Sequence, residues 1–353
     1  MRILGVLLLS ACCTTPLLAQ EPDTTAVDDD YIEEDFSIYA DAEIAGGGKR
    51  FCTSKVYDQS PNKLVSVGWD FQGSHTLTLD ALGDSPAQEL DVQSVQGFRF
   101  SANFPVVSKT NVLINLGVNY WESHYTIDNS DQHTLAQALQ DRALRTTGLL
   151  ATVFKPLNET HFILVQGAAN LSGDYFFPDF QPLNLTRYSA TFIYGWKKHD
   201  RLLYGFGLTR TYRIGEANYV PVLLYNYTFP SRAWGIEAAF PARANLRRNF
   251  SSRSLAFIGY ELEGQSYRIE SIEGIGGIAD PELRRSELRI RATFEHSLKD
   301  FIWVSAQLGL RYDWNFNLDD GDLFRGFGDE DYALENDLTN ALYFNVSLNL
   351  VSP

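Results

Sequence analysis

Along residues 301–317 apolar and polar positions alternate without a break. Ile302, Val304, Ala306, Leu308, Leu310, Tyr312, Trp314 and Phe316 share one parity, and Ser305, Gln307, Gly309, Arg311, Asp313, Asn315 and Asn317 share the other. Successive strand side chains point to opposite faces, so the pattern predicts a strand with one apolar and one polar side. It is longer than the ~5–6 residues usual for globular sheets. A uniformly apolar face ending in aromatics is what lipid and its interfacial girdle demand, and a face carrying charge suits a water-filled lumen. The alternation recurs in 111–120, 187–196 and 287–295. In the last strand Leu342, Phe344, Val346, Leu348 and Leu350 are set against Tyr343, Asn345, Ser347 and Asn349.

The full pattern predicts fourteen strands, at 64–79, 92–106, 111–126, 144–156, 161–173, 184–197, 201–213, 218–229, 233–240, 243–250, 253–271, 284–297, 301–316 and 341–351. The stretch 233–250 is the weak point, because Pro241 interrupts it and Arg243, Arg247 and Arg248 load it with charge. Folded into the lumen instead, it would lower the count to twelve. Short turns such as Ser108-Lys109-Thr110, Asn158-Glu159-Thr160 and Lys198-His199-Asp200 alternate with longer polar links near 80–91, 127–143, 174–183, 272–283 and 318–340. Leu135 to Leu139 in the second of these links could make a turn or two of helix. The expectation is an all-β chain: one antiparallel transmembrane β-barrel of about 12–14 strands, with short periplasmic turns and longer extracellular loops. The competing architecture is a soluble sandwich, whose strands would bury the same apolar face against a second sheet and would usually be shorter.

Composition agrees with strands. The 353 residues include 18 Tyr and 23 Phe but a single Met, the first residue. The N-terminus reads as an export signal: Arg2, then the apolar run Ile3–Leu9, then small residues up to a cleavage site near Ala19. Leu9-Ser10-Ala11-Cys12 also fits a lipobox, which would make Cys12 a lipidation site. Ordinary cleavage is favoured because a spanning barrel needs no lipid anchor. It would leave Cys52 alone and exclude an internal disulfide. After the signal no stretch approaches the ~18 apolar residues of a membrane helix. The net charge of −15 comes from two segments: residues 21–35 contribute −8 and residues 319–337 contribute −7. The balanced remainder gives no support for nucleic-acid binding. The expected organisation is a signal peptide at 1–20, an acidic and partly disordered leader at 21–63, and a barrel at 64–353.

Candidate chemistry is sparse. Arg187, Arg289, Arg291 and Arg311 share the inward parity with Glu287, Glu295 and Asp313, which predicts a lumen lined by both signs of charge. The favoured reading is an ion-pair network stabilising a narrow barrel, and the other is a selectivity surface for a permeating solute. Tyr343 and Trp303 would narrow the lumen, and Gly205, Gly207 and Gly309 would relieve crowding. The six histidines, His75, His124, His133, His161, His199 and His296, lie in no recognisable nucleophile context, so no catalytic residue is assigned. Asp319, Asp320, Asp322, Asp329 and Asp331 could attract a hard cation, but their spacing is not that of a helix–loop–helix calcium site, and a solvated loop is the favoured reading. No Cys/His grouping suggests zinc, and no cofactor is expected.

Several segments together resemble an uncharacterised outer-membrane β-barrel family common in Bacteroidetes. They are Phe98-Arg99-Phe100-Ser101-Ala102-Asn103-Phe104-Pro105, Leu113-Ile114-Asn115-Leu116-Gly117-Val118-Asn119-Tyr120, Lys155-Pro156-Leu157-Asn158, Tyr204-Gly205-Phe206-Gly207-Leu208, Pro221-Val222-Leu223-Leu224-Tyr225-Asn226-Tyr227 and Phe240-Pro241. The resemblance covers roughly 64–351 and rests on the order of the pieces. The chain departs from the usual barrel plan in ending Leu350-Val351-Ser352-Pro353 rather than on an aromatic, and in its long leader. The resemblance implies a barrel in the cell outer membrane and supplies no functional residues. Expected partners are outer-membrane lipid and lipopolysaccharide, and the barrel-assembly machinery during biogenesis. Three roles stand open: a channel for a small solute or hydrophobic compound, a structural or surface-exposed barrel with a filled lumen, and a lipid-modifying enzyme.

Overall fold

The computed structural model describes residues 50–176, 186–211, 218–320 and 332–352. The signal peptide, Cys12 and the acidic stretch 21–35 lie outside the described residues, as do Asp322, Asp329 and Asp331. The strands are β1 (Lys63–Gln72), β2 (His75–Leu79), β3 (Gln88–Lys109), β4 (Val112–Ile127), β5 (Leu144–Pro156), β6 (His161–Gly173), β7 (Thr186–His199) and β8 (Leu202–Thr211). They continue as β9 (Asn218–Thr228), β10 (Trp234–Phe240), β11 (Arg243–Ser251), β12 (Ser254–Arg268), β13 (Pro281–Lys299), β14 (Ile302–Asp320), β15 (Asp337–Leu338) and β16 (Ala341–Val351). A single α-helix among the described residues, α1 (Thr134–Asp141), lies in the link after β4.

Consecutive antiparallel pairing runs from β3 to β14, then to β16 and β1. Strand β1 pairs on one side with β16 and on the other with β3, which closes the ring at fourteen strands. Closure leaves no open sheet edge, the condition for strands to cross hydrocarbon. The stretch 64–79 is not one strand: Gly73 and Ser74 divide it into β1 and β2, both antiparallel to β3. Strand β15 adds a short ladder beside β2 at the long-link end.

The charged stretch 233–250 stays in the wall, as β10 and β11 joined by a turn at Pro241 and Ala242. It can do so because its charges find partners. Arg247 points inward to Glu237, while Arg248 lies over the rings of Trp234 and Phe250 at 4.8 and 5.9 Å.

In β16 the period-2 pattern becomes strict alternation. Ala341, Tyr343, Asn345, Ser347, Asn349 and Val351 are buried, and Leu342, Phe344, Val346, Leu348 and Leu350 are exposed. Leu149, Phe206, Ile258, Ile290, Leu308 and Leu342, from six different strands, are each more than half exposed. Monomeric soluble proteins rarely show contiguous apolar patches beyond a few hundred Å². A band of such residues on strand after strand is the exterior of a membrane barrel, and no second sheet covers it among the described residues.

Phe316 departs from the sequence expectation. Its parity placed it outside, yet it is 1% exposed, within an apolar cluster. The cause is a register shift: Glu287 faces Asp313 while Ser286 faces Asn315, so Trp314 is an extra residue on β14. One added residue turns every later side chain to the opposite face.

Candidate functional site

Three layers fill the barrel interior. At the long-link end, Leu77, Leu79, Val92, Tyr125, Ile127, Leu135, Leu139, Leu144, Ile269, Ile272, Phe316 and Leu318 form a dry cluster. Helix α1 contributes its apolar face. His133 caps the helix by accepting from the Leu135 amide at 3.2 Å through Nδ1, while its Nε2 lies 2.8 Å from the Asp80 carbonyl. Accepting at one nitrogen and donating at the other requires the neutral ring. Burial pushes the His133 pKa down in the same direction. The upper end of β12 leans across the interior to β6: Arg268 pairs with Gly173, and Gln265 Nε2 donates to Ser172 Oγ at 2.6 Å.

Below this cap lies the ionic layer. Arg289 sits among Glu287 (2.5 Å), Glu263 (3.0 Å) and Asp70 (3.4 Å), with its guanidinium 4.8 Å from the Tyr343 ring. Arg99 bridges the same Asp70 and Glu263, and Arg285 reaches Glu287 at 2.7 Å. Arg291 pairs with Glu261, Arg187 with Glu282 at 2.6 Å, and Glu295 with Lys63 at 2.6 Å. Arg311 is fully buried and donates to Gln72 Oε1 at 2.5 Å and to the Thr339 carbonyl at 3.2 Å. Asp313 is buried beside Arg311 on the same strand. The seven residues picked from parity are thus inside, but they do not form one site. Glu287, Arg289 and Arg291 belong to a central group. Arg187 lies at the rim with Glu282, and Glu295 lies near the short turns.

The central group borders a cavity of about 280 Å³, ringed by Lys63, Asp70, Arg99, Glu263, Arg289 and Arg291 and floored by small residues such as Gly68, Ser101 and Ser347. Asp70, Arg99, Glu261, Glu263 and Lys63 were not singled out from the sequence. Their signal was present in the inward parity of β1, β3 and β12, whose alternation is less regular than that of β14.

The third layer is the segment 50–62, which runs across the short-turn mouth before entering β1. Its Cys52 amide donates to the Asn158 carbonyl at 3.0 Å and its Tyr57 amide to the Asp200 carbonyl at 2.8 Å. Cys52 and Val56 pack on the inward side chains Phe154, Phe162 and Leu203. Room for Phe162 exists because Gly195 faces it: a Cβ there would meet the ring at 2.2 Å. Ser60 bonds Glu237 through its amide (3.0 Å) and its hydroxyl (2.6 Å). Thr228 Oγ1 donates to the Tyr57 carbonyl at 2.6 Å, and Lys197 Nζ to the Lys55 carbonyl at 2.8 Å. Burial also pushes the Cys52 thiol above its usual pKa.

The remaining candidates are accounted for simply. Asp319 of the acidic link pairs with Arg284 at 3.0 Å. No group of three or more metal-ligating side chains occurs among the described residues. His296 Nδ1 lies 2.8 Å from Ser254 Oγ on the facing strand, but no carboxylate bonds its other nitrogen among the described residues.

Fold and interior define an antiparallel membrane-type β-barrel with a charged lumen. No family model matches the chain, and no curated protein matches it. Solved structures to which it is similar include a channel, a transporter and an autotransporter domain. One is an outer membrane channel from Pseudomonas putida F1, with 14% identity, 84% of this chain and 98% of that one covered, and a TM-score of 0.35. Another is the Pseudomonas putida toluene transporter TodX, with 9% identity, 86% and 95% covered, and a TM-score of 0.29. A third is the β domain of the Bordetella autotransporter BrkA, with 8% identity, 82% and 100% covered, and a TM-score of 0.24. Likeness at this level extends to neither family nor ligand.

Proposed function

We propose that the protein is an integral barrel of the outer membrane that serves as a channel for small polar solutes and is held closed in this structure. The observation that carries the reading is the cavity of about 280 Å³ inside a closed barrel, ringed by arginines and carboxylates. A hydrocarbon route would be lined by apolar side chains, so the lining chemistry favours polar cargo over the hydrophobic-compound alternative. The N-terminal stretch that reads as an export signal and the apolar exterior support the outer membrane as the location. In that setting the short turns face the periplasm, and lipid and lipopolysaccharide surround the wall. The segments that carry the resemblance to the Bacteroidetes family lie on β3, β4, the end of β5, β8, β9 and the β10–β11 turn, so the resemblance is one of barrel wall.

The filled-lumen reading has its own support in the apolar cap and the dense ion pairs, and conductance separates the two. Planar bilayers should show discrete current steps. Reversing Arg99 and Arg289 to Glu should move the ion preference toward cations. A barrel that gives no step, either as the full chain or with residues 51–60 removed, contradicts the channel reading.

A further inference from the structure

We infer that residues 51–60 are a displaceable plug, folded back into the barrel they precede, which closes its short-turn mouth. The inference rests on the channel reading for what the plug obstructs, but the seating itself stands on separate observations. The segment has no strand or helix of its own. It is held by main-chain bonds to two short turns, at Asn158 and Asp200, by Arg232 of the β9–β10 turn paired with Asp58, and by side chains from β7, β9, β10 and β11. Its two apolar anchors, Cys52 and Val56, are 7% and 5% exposed. Both insert between aromatic and aliphatic side chains that point into the lumen.

The contacts have the composition of a reversible seat. The apolar contact is small, two side chains on a floor of a few. The rest of the grip comes from hydrogen bonds and from an ion pair between Asp58 and the exposed Arg232 at 2.6 Å; the buried wall groups among them keep other partners when the segment leaves. Glu237 has Arg247, and Arg247 also donates to Thr228 at 2.9 Å. The wall pairs with itself through complete ladders on β7 to β11, so removing the segment breaks no strand pairing. The vacated mouth would expose Lys197, Glu237 and Arg247, a polar rim below the charged cavity. By contrast, a segment needed to hold the barrel together would be expected to add a strand to the ladder, which residues 51–60 do not.

Cys52 is a built-in reporter: the thiol is buried in the seated state and free once the segment leaves. With Cys12 and Cys13 replaced by serine, the folded barrel in lipid is treated with a membrane-impermeant maleimide, and labelling is followed by mass. Glu237→Ala removes both bonds to Ser60, and Thr228→Val removes the bond to the Tyr57 carbonyl; in each case Arg247 loses one partner and keeps the other. Each should speed Cys52 labelling by ~10-fold or more, the scale expected when a bond to a charged or buried group is lost. Heat-modifiable gel migration of each variant checks that the barrel is intact. Deletion of residues 51–60 should raise conductance well above that of the full chain.

Rapid labelling of Cys52 in the unmodified barrel, unchanged by either substitution, overturns the plug. So does a deletion variant that conducts no better than an already conducting full chain. If the substitutions accelerate labelling yet no form conducts, the plug stands as a mobile segment and it is the channel reading that falls.

Discussion

Replacing Arg289 tests whether the ionic layer is a dry, coupled network or a set of independent solvated pairs. The side chain is 3% exposed and meets three carboxylates within 3.4 Å. Breaking a buried ion pair from one side typically costs ~3–5 kcal/mol, because an uncompensated charge is left inside. Here the bereaved groups keep partial compensation: Glu287 retains Arg285 at 2.7 Å, and Asp70 and Glu263 retain Arg99. The expected loss for Arg289→Met is therefore at the lower end, about 3 kcal/mol. Glu287→Gln should cost a similar amount, since it leaves Arg285 and Arg289 facing a neutral amide. The double variant should recover ~1–2 kcal/mol of the sum, the coupling typical of residues in one network. The assay is urea unfolding from lipid vesicles followed by tryptophan fluorescence, with midpoints compared at constant slope. Single losses under ~1 kcal/mol with no coupling, the behaviour of exposed pairs, would refute the dry-network argument.

Three further outcomes follow from the structure. Leu149→Arg, at a position 64% exposed in the middle of β5, should destabilise the barrel in lipid by ~2–4 kcal/mol if the wall meets hydrocarbon; a surface site in water would lose less than ~0.5 kcal/mol. Gly195→Ala should cost ~1–3 kcal/mol by overpacking against Phe162, and Phe162→Ala in the same chain should return part of it; additive unfolding losses would contradict the contact. His133 has a folded-state pKa below the usual 6.5, so its contribution is fully present above that value and is lost as pH falls below it toward the depressed value. Proteolysis of the 128–143 link should therefore accelerate on acidification from neutral pH, and His133→Asn, which keeps a good cap, should abolish the dependence.

Most of the wall was legible from the sequence because its code is short-range. Period 2 is written residue by residue in β14 and β16, and the short turns punctuate it. Each of the fourteen wall strands overlaps a predicted stretch, including β10 and β11, whose arginines argued against a wall position, although 64–79 divides into β1 of the wall and the short β2. What was not legible depends on contacts across the ring. Pro241 reads as a break from local propensity, but it ends one strand of a short hairpin, and the neighbouring strands keep the hairpin in line. Phe316 has outward parity, and only the pairing of β13 with β14 shows that Trp314 is an extra residue. Among lumen residues, parity found Glu287, Arg289 and Arg291, but it could not show that Asp70, Arg99 and Glu263 from β1, β3 and β12 complete the group. The segment 50–62 carries no periodicity, so nothing in its sequence shows that it packs inside the mouth.

The central claim is that the exposed side chains of these strands touch lipid while their neighbours face an enclosed interior. A nitroxide scan of β16 tests it directly, placing one labelled cysteine at a time from residue 341 to 351 in a Cys52→Ser chain reconstituted in bilayers. The account predicts that oxygen accessibility rises at Leu342, Phe344, Val346, Leu348 and Leu350 and falls at Tyr343, Asn345, Ser347 and Asn349, with a water-soluble nickel relaxant excluded from the first set. Nickel access at the first set, or accessibility without period 2, would contradict it.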